Sequence, residues 1–409
     1  MAAVATIAAL VDIVKRKYVQ RDLSNQALIR SPFWNSVKRI DDLTGEGIYV
    51  PYNYGLPPNG SASYSIANAN IKASKVAKWF LERKEYHAAH TIKAEAIYAS
   101  RGKEAAFLSI KEKEISETLK YMQQEFAVHA WGDGSGVIGR ITADPGAGNS
   151  VTMTLHDSRD ANKLHIGQTL GAASAATAGT ERGDTYLITA VDRVAGTFTA
   201  TQVGSADDWA IDDYIFVAGN YDAMMTGVQG FIPAANPGVG AVPSSLFGMT
   251  RTDDPVMKAG WRGTWEGSIE ESALSLCSNM GAYFNDAASA LWLSRRNWYR
   301  LERELEAKNR KIVDTRASDY FGVTALSLLT PEGEVPVMAD PFCPAASGFL
   351  LDHSSWEVHH MEGLPHVVMD DGLAVNRIGS DDSGIKVQFR AWLQGLCFRP
   401  FTNGRFDIE

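Results

Sequence analysis

The 409-residue sequence predicts an α+β protein of several domains, in which a small all-β module separates a long helix from a mixed body of helices and strands. Three observations predict it. A helical apolar stripe runs from Glu104 to Trp131, short strand and turn patterns fill Val137 to Asp222, and helix and strand patterns alternate after Gly227. The length agrees, because single cores stop growing at roughly 250–300 residues.

Composition narrows the functional classes. Hydrophobic residues make up 45% and charged residues 21% of the chain, ordinary values for a folded globular protein. A net charge of -9 argues against a protein built to neutralise phosphates with a basic surface. Cys277, Cys343 and Cys397 are widely spaced and odd in number, so they form neither a disulfide framework nor a paired-cysteine metal knuckle, and a reducing compartment fits. The apolar run Met1 to Val14 precedes rather than follows its basic residues Lys15, Arg16 and Lys17, and does not read as a signal peptide. No later run approaches the roughly 18 apolar residues of a membrane span, so a soluble protein is expected.

Taken in order, Val4, Ile7, Ala8, Val11 and Val14 recur at helical spacing and predict an amphipathic helix. From Gly47 to Ser100 two extended arms are expected, Ile48, Val50 and Tyr52 in one and Ile92, Ala94 and Ala96 in the other. Pro57, Pro58, Asn59 and Gly60 break the chain between them, giving a projecting hairpin. An arm of roughly 20 residues reaches up to about 65 Å, so it must lie on something else.

Leu108, Ile115, Leu119, Met122, Phe126 and Ala130 form the stripe of the long helix, a rod of about 42 Å that its narrow apolar face leaves half exposed. Gly132, Gly134 and Gly136 end it. The β module has strands at Val151–Leu155, Tyr186–Val191, Thr197–Val203 and Tyr214–Val217. Turn clusters at Asp144–Ser150, Ala172–Asp184 and Gly204–Asp208 separate them. Ser268 with Glu271 is a capping box for a helix whose apolar face is Ile269, Ala273, Leu276, Cys277 and Met280. Ser294 caps a second helix carrying Trp298, Leu301 and Leu305. Strands follow near Val335–Met338, Gly348–Leu351, Trp356–His359, His366–Met369 and Ile385–Trp392.

Candidate chemistry fails on spacing or context. His87 and His90 lie three residues apart on an extended arm, which splays the rings, and no third ligand is near in sequence. His359 and His360 are adjacent and would face opposite sides of a strand. Asp212/Asp213, Asp253/Asp254, Asp370/Asp371 and Asp381/Asp382 sit beside turns, where acids cap and solvate. Gly132-Asp133-Gly134-Ser135-Gly136 and Gly146-Ala147-Gly148 lack the rest of a phosphate-binding signature and read as turns. No nucleophile elbow or reactive-cysteine signature occurs. No catalytic, cofactor-binding or metal residue is assigned.

The order of arm, hairpin, long helix ending in Trp131-Gly132-Asp133-Gly134-Ser135-Gly136 and α/β body resembles the Hong Kong 97 fold of tailed-phage major capsid proteins. Met225-Thr226-Gly227-Val228-Gln229-Gly230-Phe231 is similar to the glycine-containing segment that follows the spine helix in that family. Leu293 to Trp298, Gly333 to Val337, and Val387 to Trp392 with Cys397 to Pro400 resemble further family stretches, in the same order. Plain members pass almost directly from the spine helix to the glycine segment; here Val137 to Asp222 intervenes, like the β-barrel insertion of some relatives.

The resemblance implies an N-terminal arm at 1–45, an extended loop at 46–100 and a P-domain spine helix at 101–136. It further implies an inserted β-barrel at 137–222, an A-domain at 223–365, P-domain strands at 366–392 and a closing A-domain strand at 393–409. It implies a non-enzymatic shell subunit of a double-stranded DNA phage that self-assembles into hexamers and pentamers in the bacterial host cytoplasm and resides in the virion capsid. Expected partners are further copies of the chain, a portal protein and a scaffolding protein, since no long charged helical prodomain precedes the arm. A decoration or cement protein is a further expected partner; no membrane is expected. Lysine-to-asparagine cross-linking, as in some relatives, is disfavoured, although Lys72, Lys75, Lys78 and Lys84 lie in the loop region. An encapsulin-like compartment and, more remotely, a hydrolase using carboxylates such as Asp212 or Asp370 are the alternatives.

Overall fold

The computed structural model describes residues 31–93, 104–144, 150–204, 209–282, 288–307, 313–314, 325–330, 333–368, 376–377 and 384–409. The amphipathic segment at 1–14, Ala94, Ala96, the glycines at 146–148 and the pairs Asp370/Asp371 and Asp381/Asp382 lie outside the described residues. The chain divides into two compact units, Val128–Gly230 and the segments on either side of it.

The flanking unit is α+β. Its seven-stranded sheet runs Trp261–Gly263, Gly404–Asp407, Ser347–Leu351, Ala290–Ser294, Gly333–Asp340, Ala325–Thr330 and Val313–Asp314. Ala290–Ser294, buried at all five positions, pairs parallel with Gly333–Asp340 and antiparallel with Ser347–Leu351. A strand covered on both faces reads as a continuous apolar run, and Ala-Leu-Trp-Leu-Ser does.

Two helices, Ile269–Gly281 and Arg295–Ala307, cover this sheet. Ser268 Oγ accepts a hydrogen bond from Glu271 N at 3.2 Å, the predicted cap. Ile269, Ala273, Leu276 and Met280 turn inward to meet Leu301, Leu305, Leu291, Leu293, Leu350 and Phe406. Cys277 is only partly buried, at the edge of the predicted face. Ser294 Oγ accepts from Asn297 N at 3.4 Å, so the second helix starts directly from its strand.

The five-stranded sheet centres on Gly384–Cys397. It pairs antiparallel with Trp356–Val367, Lys84–Lys93 and Asn376–Arg377, while Lys38–Asp41 adds parallel to Trp356–Val367. The sequence predicts two strands where Trp356–Val367 is one. The pairing is irregular between Met361 and His366, where Glu362 and Gly363 take φ values of 59 and 98° and hide the continuity.

The hairpin also differs from its prediction. Gly47–Gly55 pairs with Lys75–Glu82, from Gly47 opposite Glu82 to Gly55 opposite Lys75, whereas Ile92 belongs to the five-stranded sheet. The return arm therefore comes sooner, and its alternating Trp79 and Leu81 are fully buried. The long helix spans Glu104–His129. From Ile115 to Tyr121 it is mostly part-exposed; from Met122 to Trp131 every residue is buried, including Gln123, Gln124, Glu125 and His129. Amides and a carboxylate on these faces made the apolar stripe look narrow; each of the four has polar or ring interactions.

Within Val128–Gly230 an antiparallel six-stranded sheet runs Val137–Arg140, Tyr214–Val217, Thr169–Ala173, Tyr186–Asp192, Thr197–Gln202 and Val151–Thr154. Its two edge strands also meet: Thr142 N donates to Thr154 O and His156 N to Arg140 O, each at 2.9 Å. Inward-facing Ile138, Met153, Leu170, Tyr186, Ile188, Phe198 and Ile215 are buried among the strands. Val137–Arg140 and Thr169–Ala173 escape the sequence reading. The latter, Thr-Leu-Gly-Ala-Ala, overlaps the turn cluster expected from Ala172, because it is built of small residues. They are small for a reason, since a Cβ on Gly171 would come within 2.6 Å of the Phe216 ring.

Candidate assembly surface

The hairpin joins a buried base to an exposed tip. At the base, Trp79 is 0% exposed and its ring lies 5.8 Å from those of Tyr52 and Phe231 and 6.5 Å from that of Phe247. Tyr52 Oη donates to Met257 O at 2.5 Å, and Phe80 N donates to Phe247 O at 3.0 Å. Burial pushes the Tyr52 phenol up, which keeps it a donor at every physiological pH. The aromatic contacts continue from Phe231 to Trp356 and on through Phe33 to Trp292, at 5.8, 6.0 and 5.5 Å. This column ties the hairpin base to the five- and seven-stranded sheets of its unit and to the short helix Pro32–Ser36.

At the tip, residues 56–74 include the short helix Tyr64–Ala69. Asn59 closes it by a reciprocal pair: Lys72 N donates to its Oδ1 at 2.7 Å, and its Nδ2 donates to Lys72 O at 3.0 Å. Leu56 is 85% exposed, Tyr64 86% and Ile71 69%, with Ile66 and Val76 also exposed. Exposed apolar side chains gathered in this way form a patch of the kind that interaction surfaces present. Lys72, Lys75 and Lys78 are exposed beside them, and Lys78 Nζ sits 4.3 Å from the Tyr49 ring centroid.

A second constructed feature lies where the chain leaves and rejoins the long helix. Val228 N donates to Ala130 O at 2.9 Å, Gly227 N to Gly132 O at 3.1 Å and Gln229 N to Trp131 O at 3.3 Å. The carbonyls at the end of a helix need such partners. A Cβ at Gly227 would lie 2.2 Å from Ala130 O and 2.4 Å from Ala130 C, so only glycine allows the approach. The Met225-to-Phe231 segment singled out in the sequence thus closes, through Gly227, Val228 and Gln229, over the turn that ends the helix.

The residues weighed for chemistry are dispersed into structural roles. His87 and His90 occupy the strand Lys84–Lys93, with His87 Nε2 3.3 Å from Glu85 Oε2. His359 is buried with Nδ1 2.6 Å from Asp42 Oδ1, while His360 faces Asp41 at 3.9 Å. Asp213 is buried under a two-pronged pair with Arg182 at 2.8 and 2.7 Å; neighbouring Asp212 is exposed and meets His156 and Arg140. The hydrogen bond from His156 holds the Asp212 carboxyl below the usual range. Asp254 caps the helix Pro255–Ala259, and Asp253 pairs with Lys258 at 2.8 Å. None of the three cysteines forms a disulfide; burial pushes the Cys397 thiol up to about 12. Among the described residues no group of three or more His, Cys, Asp or Glu side chains is placed to hold a metal.

Asp340 is a residue that sequence reasoning missed. Fully buried, it accepts from Ser31 Oγ at 2.6 Å, Phe33 N at 3.2 Å and Phe342 N at 2.8 Å, pinning the start of the described chain to the seven-stranded sheet. Its partner lies 309 residues away, a separation that leaves no local signal.

The chain shares its fold with a phage capsid protein. Superposition with the cyanophage A-1(L) capsid asymmetric unit gives a TM-score of 0.50 at 10% identity, covering 92% of this chain and 94% of that one. The satellite phage P4 procapsid is also similar, with a TM-score of 0.41, 10% identity and coverage of 100% and 97%. The capsid of a native GTA particle gives 0.44, 8%, 93% and 91%. No protein-family model matches the chain, and no curated protein sequence matches it. The fold is thus the mixed α+β fold of phage capsid proteins, with several sheets and few helices. No helix among the described residues is long and apolar enough to cross a membrane.

Proposed function

We propose that this chain is the major capsid protein of a tailed double-stranded DNA phage, assembling into hexamers and pentamers of an icosahedral shell around the genome. The observation that carries the reading is the hairpin, whose base is locked by aromatic packing while Leu56, Tyr64 and Ile71 at its tip are left in solvent. In an assembled shell those side chains are buried on a neighbouring copy, and assembly, not chemistry, is the function. The dispersal of His and Asp residues into caps and ion pairs, with Cys343 and Cys397 buried, supports a subunit without a catalytic site.

In this reading the hairpin is the extended loop of a Hong Kong 97 fold, Glu104–His129 is its spine helix and the five-stranded sheet completes the P-domain. The seven-stranded sheet with its two helices is the A-domain. The six-stranded sheet, closed by the hydrogen bonds of Thr142 and His156, is an inserted β-barrel that stabilises capsomers. Portal, scaffolding and decoration proteins are the expected partners, and the virion the location. The net charge of -9 limits adhesion of packaged DNA to the shell.

Leu56→Ser, Tyr64→Ser and Ile71→Ser introduced together test it. Their exposure predicts a monomer fold unchanged within about 0.5 kcal/mol. Electron microscopy is expected to show loss of shells. Normal shells from the triple variant would defeat the reading.

A further inference from the structure

The helix Arg295–Ala307 carries a sharply divided surface. Asn297, Leu301 and Leu305 are buried, while Arg295, Arg296, Tyr299, Arg303 and Glu306 are exposed. At 3.6 residues per turn those five fall within about 100° of the circumference, three of them cations and one an anion. Among the described residues no ion pair or side-chain hydrogen bond engages Arg295, Arg296 or Arg303. The adjacent Arg300 is committed instead: it lies 3.3 Å from Glu304, bonds Glu409 O and covers the Trp265 ring. Glu304 also accepts from Ile269 N at 3.0 Å, and Glu302 and Glu306 have interactions of their own.

Three guanidinium groups against one exposed carboxylate, Glu306, are a local reversal of charge in a chain of net charge -9. We infer that this stripe is a contact for the phosphate backbone of double-stranded DNA, independent of sequence. The inference rests on the capsid reading, which supplies the polyanion, and deepens it by naming the residues that touch the genome.

Charge complementarity favours DNA over a second copy of the chain. The exposed face offers three guanidinium groups, one aromatic ring, Tyr299 at 58% exposure, and one carboxylate, Glu306, without aliphatic side chains. The buried centre of a protein interface is depleted in charge, whereas DNA interfaces are polar and positively charged. Arg296 and Arg303 are separated by about 10 Å along the axis, comparable to the roughly 12 Å width of a major groove, so both rims are in reach. Exposed charges beyond about 8 Å are largely screened at physiological salt, and Glu306, the one carboxylate within the arc, leaves it net positive. The helix is also firmly seated: Trp298 Nε1 donates to Val337 O at 3.3 Å and Asn297 Nδ2 to Ala345 O at 2.7 Å.

The test measures binding of the unassembled full-length chain to a fluorescent duplex of about 30 base pairs by anisotropy, across salt concentrations. Each phosphate contact contributes about -0.9 to the slope of log K against log salt, so R295Q/R296Q/R303Q is expected to flatten that slope by about 2.7. R295K/R296K/R303K should keep most of it, which a merely structural role would not require. Shell formation is scored separately by electron microscopy. Equal slopes for wild type and the glutamine variant, or no binding by wild type at low salt, would overturn the inference. So would loss of shells with an unchanged slope, which would place the stripe against another copy. Failure of wild type to form shells while the slope difference persists would count against the capsid reading and leave the DNA contact standing.

Discussion

Replacing Trp79 by alanine should free the hairpin from its base. The indole is wholly buried against Tyr52, Phe231 and Phe247, and a truncation of this size in a packed core costs about 3–5 kcal/mol. The aromatic pairs supply part of that, about 0.5–1.5 kcal/mol each beyond area burial. At about 1.36 kcal/mol per tenfold, local opening of the hairpin rises by two to nearly four orders of magnitude, if its strands open as one unit. The amides paired between Ile48–Tyr52 and Ala77–Leu81 report it, and native-state hydrogen exchange is the assay. Trp79→Phe is the control. Trp79 Nε1–H has no hydrogen-bond partner among the described residues, so phenylalanine removes an unsatisfied donor while keeping a ring, and should leave most protection intact. Less than a tenfold loss of protection in Trp79→Ala would refute the claim that this ring holds the hairpin.

Other expectations concern the helix cap and a titrating group. Gly227→Ala puts a Cβ against the Ala130 backbone and must displace the three hydrogen bonds at the helix end, so a loss of about 2–4 kcal/mol is expected, read as a lower melting temperature; an unchanged melt would show that the segment can shift freely. His353 Nε2 accepts from Trp292 Nε1 at 2.8 Å, which requires a neutral ring, and burial, opposed by Asp352, lowers its pKa. Folding therefore gains from neutral His353 above the unfolded value of about 6.5 and loses that gain as pH falls below it. His353→Gln, which keeps an acceptor, should show a smaller drop in melting temperature between pH 7.5 and 5.5 than wild type, and an equal drop would exclude the histidine as the source.

What could be read from the sequence was local. Ser268 with Glu271 announced a helix because a cap and its first turn are adjacent, and Ile269, Ala273, Leu276 and Met280 gave its buried face by spacing alone. The all-β texture between the long helix and Gly227 was equally visible, since Tyr186–Asp192 and Thr197–Gln202 alternate within a single hairpin. Contacts between distant segments were not. Trp79 went unremarked in the sequence, where nothing nearby shows that Phe231 and Phe247 close over it. Buried polar residues misled most: Gln123, Gln124, Glu125 and His129 look like a solvated helix face but are interior. Asp340 lies beside turn-like sequence, yet it anchors Ser31 across most of the chain. The tip of the hairpin was legible as a breaker cluster; that its apolar side chains are uncovered required the register of Gly47–Gly55 against Lys75–Glu82.

The central claim is that the chain builds a closed shell by covering that tip. Electron microscopy of the chain expressed with and without a scaffolding protein tests it most directly. Closed icosahedral particles, with density for Leu56, Tyr64 and Ile71 buried on a neighbouring subunit, are the predicted result. A stable monomer under every condition, or shells in which the tip stands free in solvent, would contradict it.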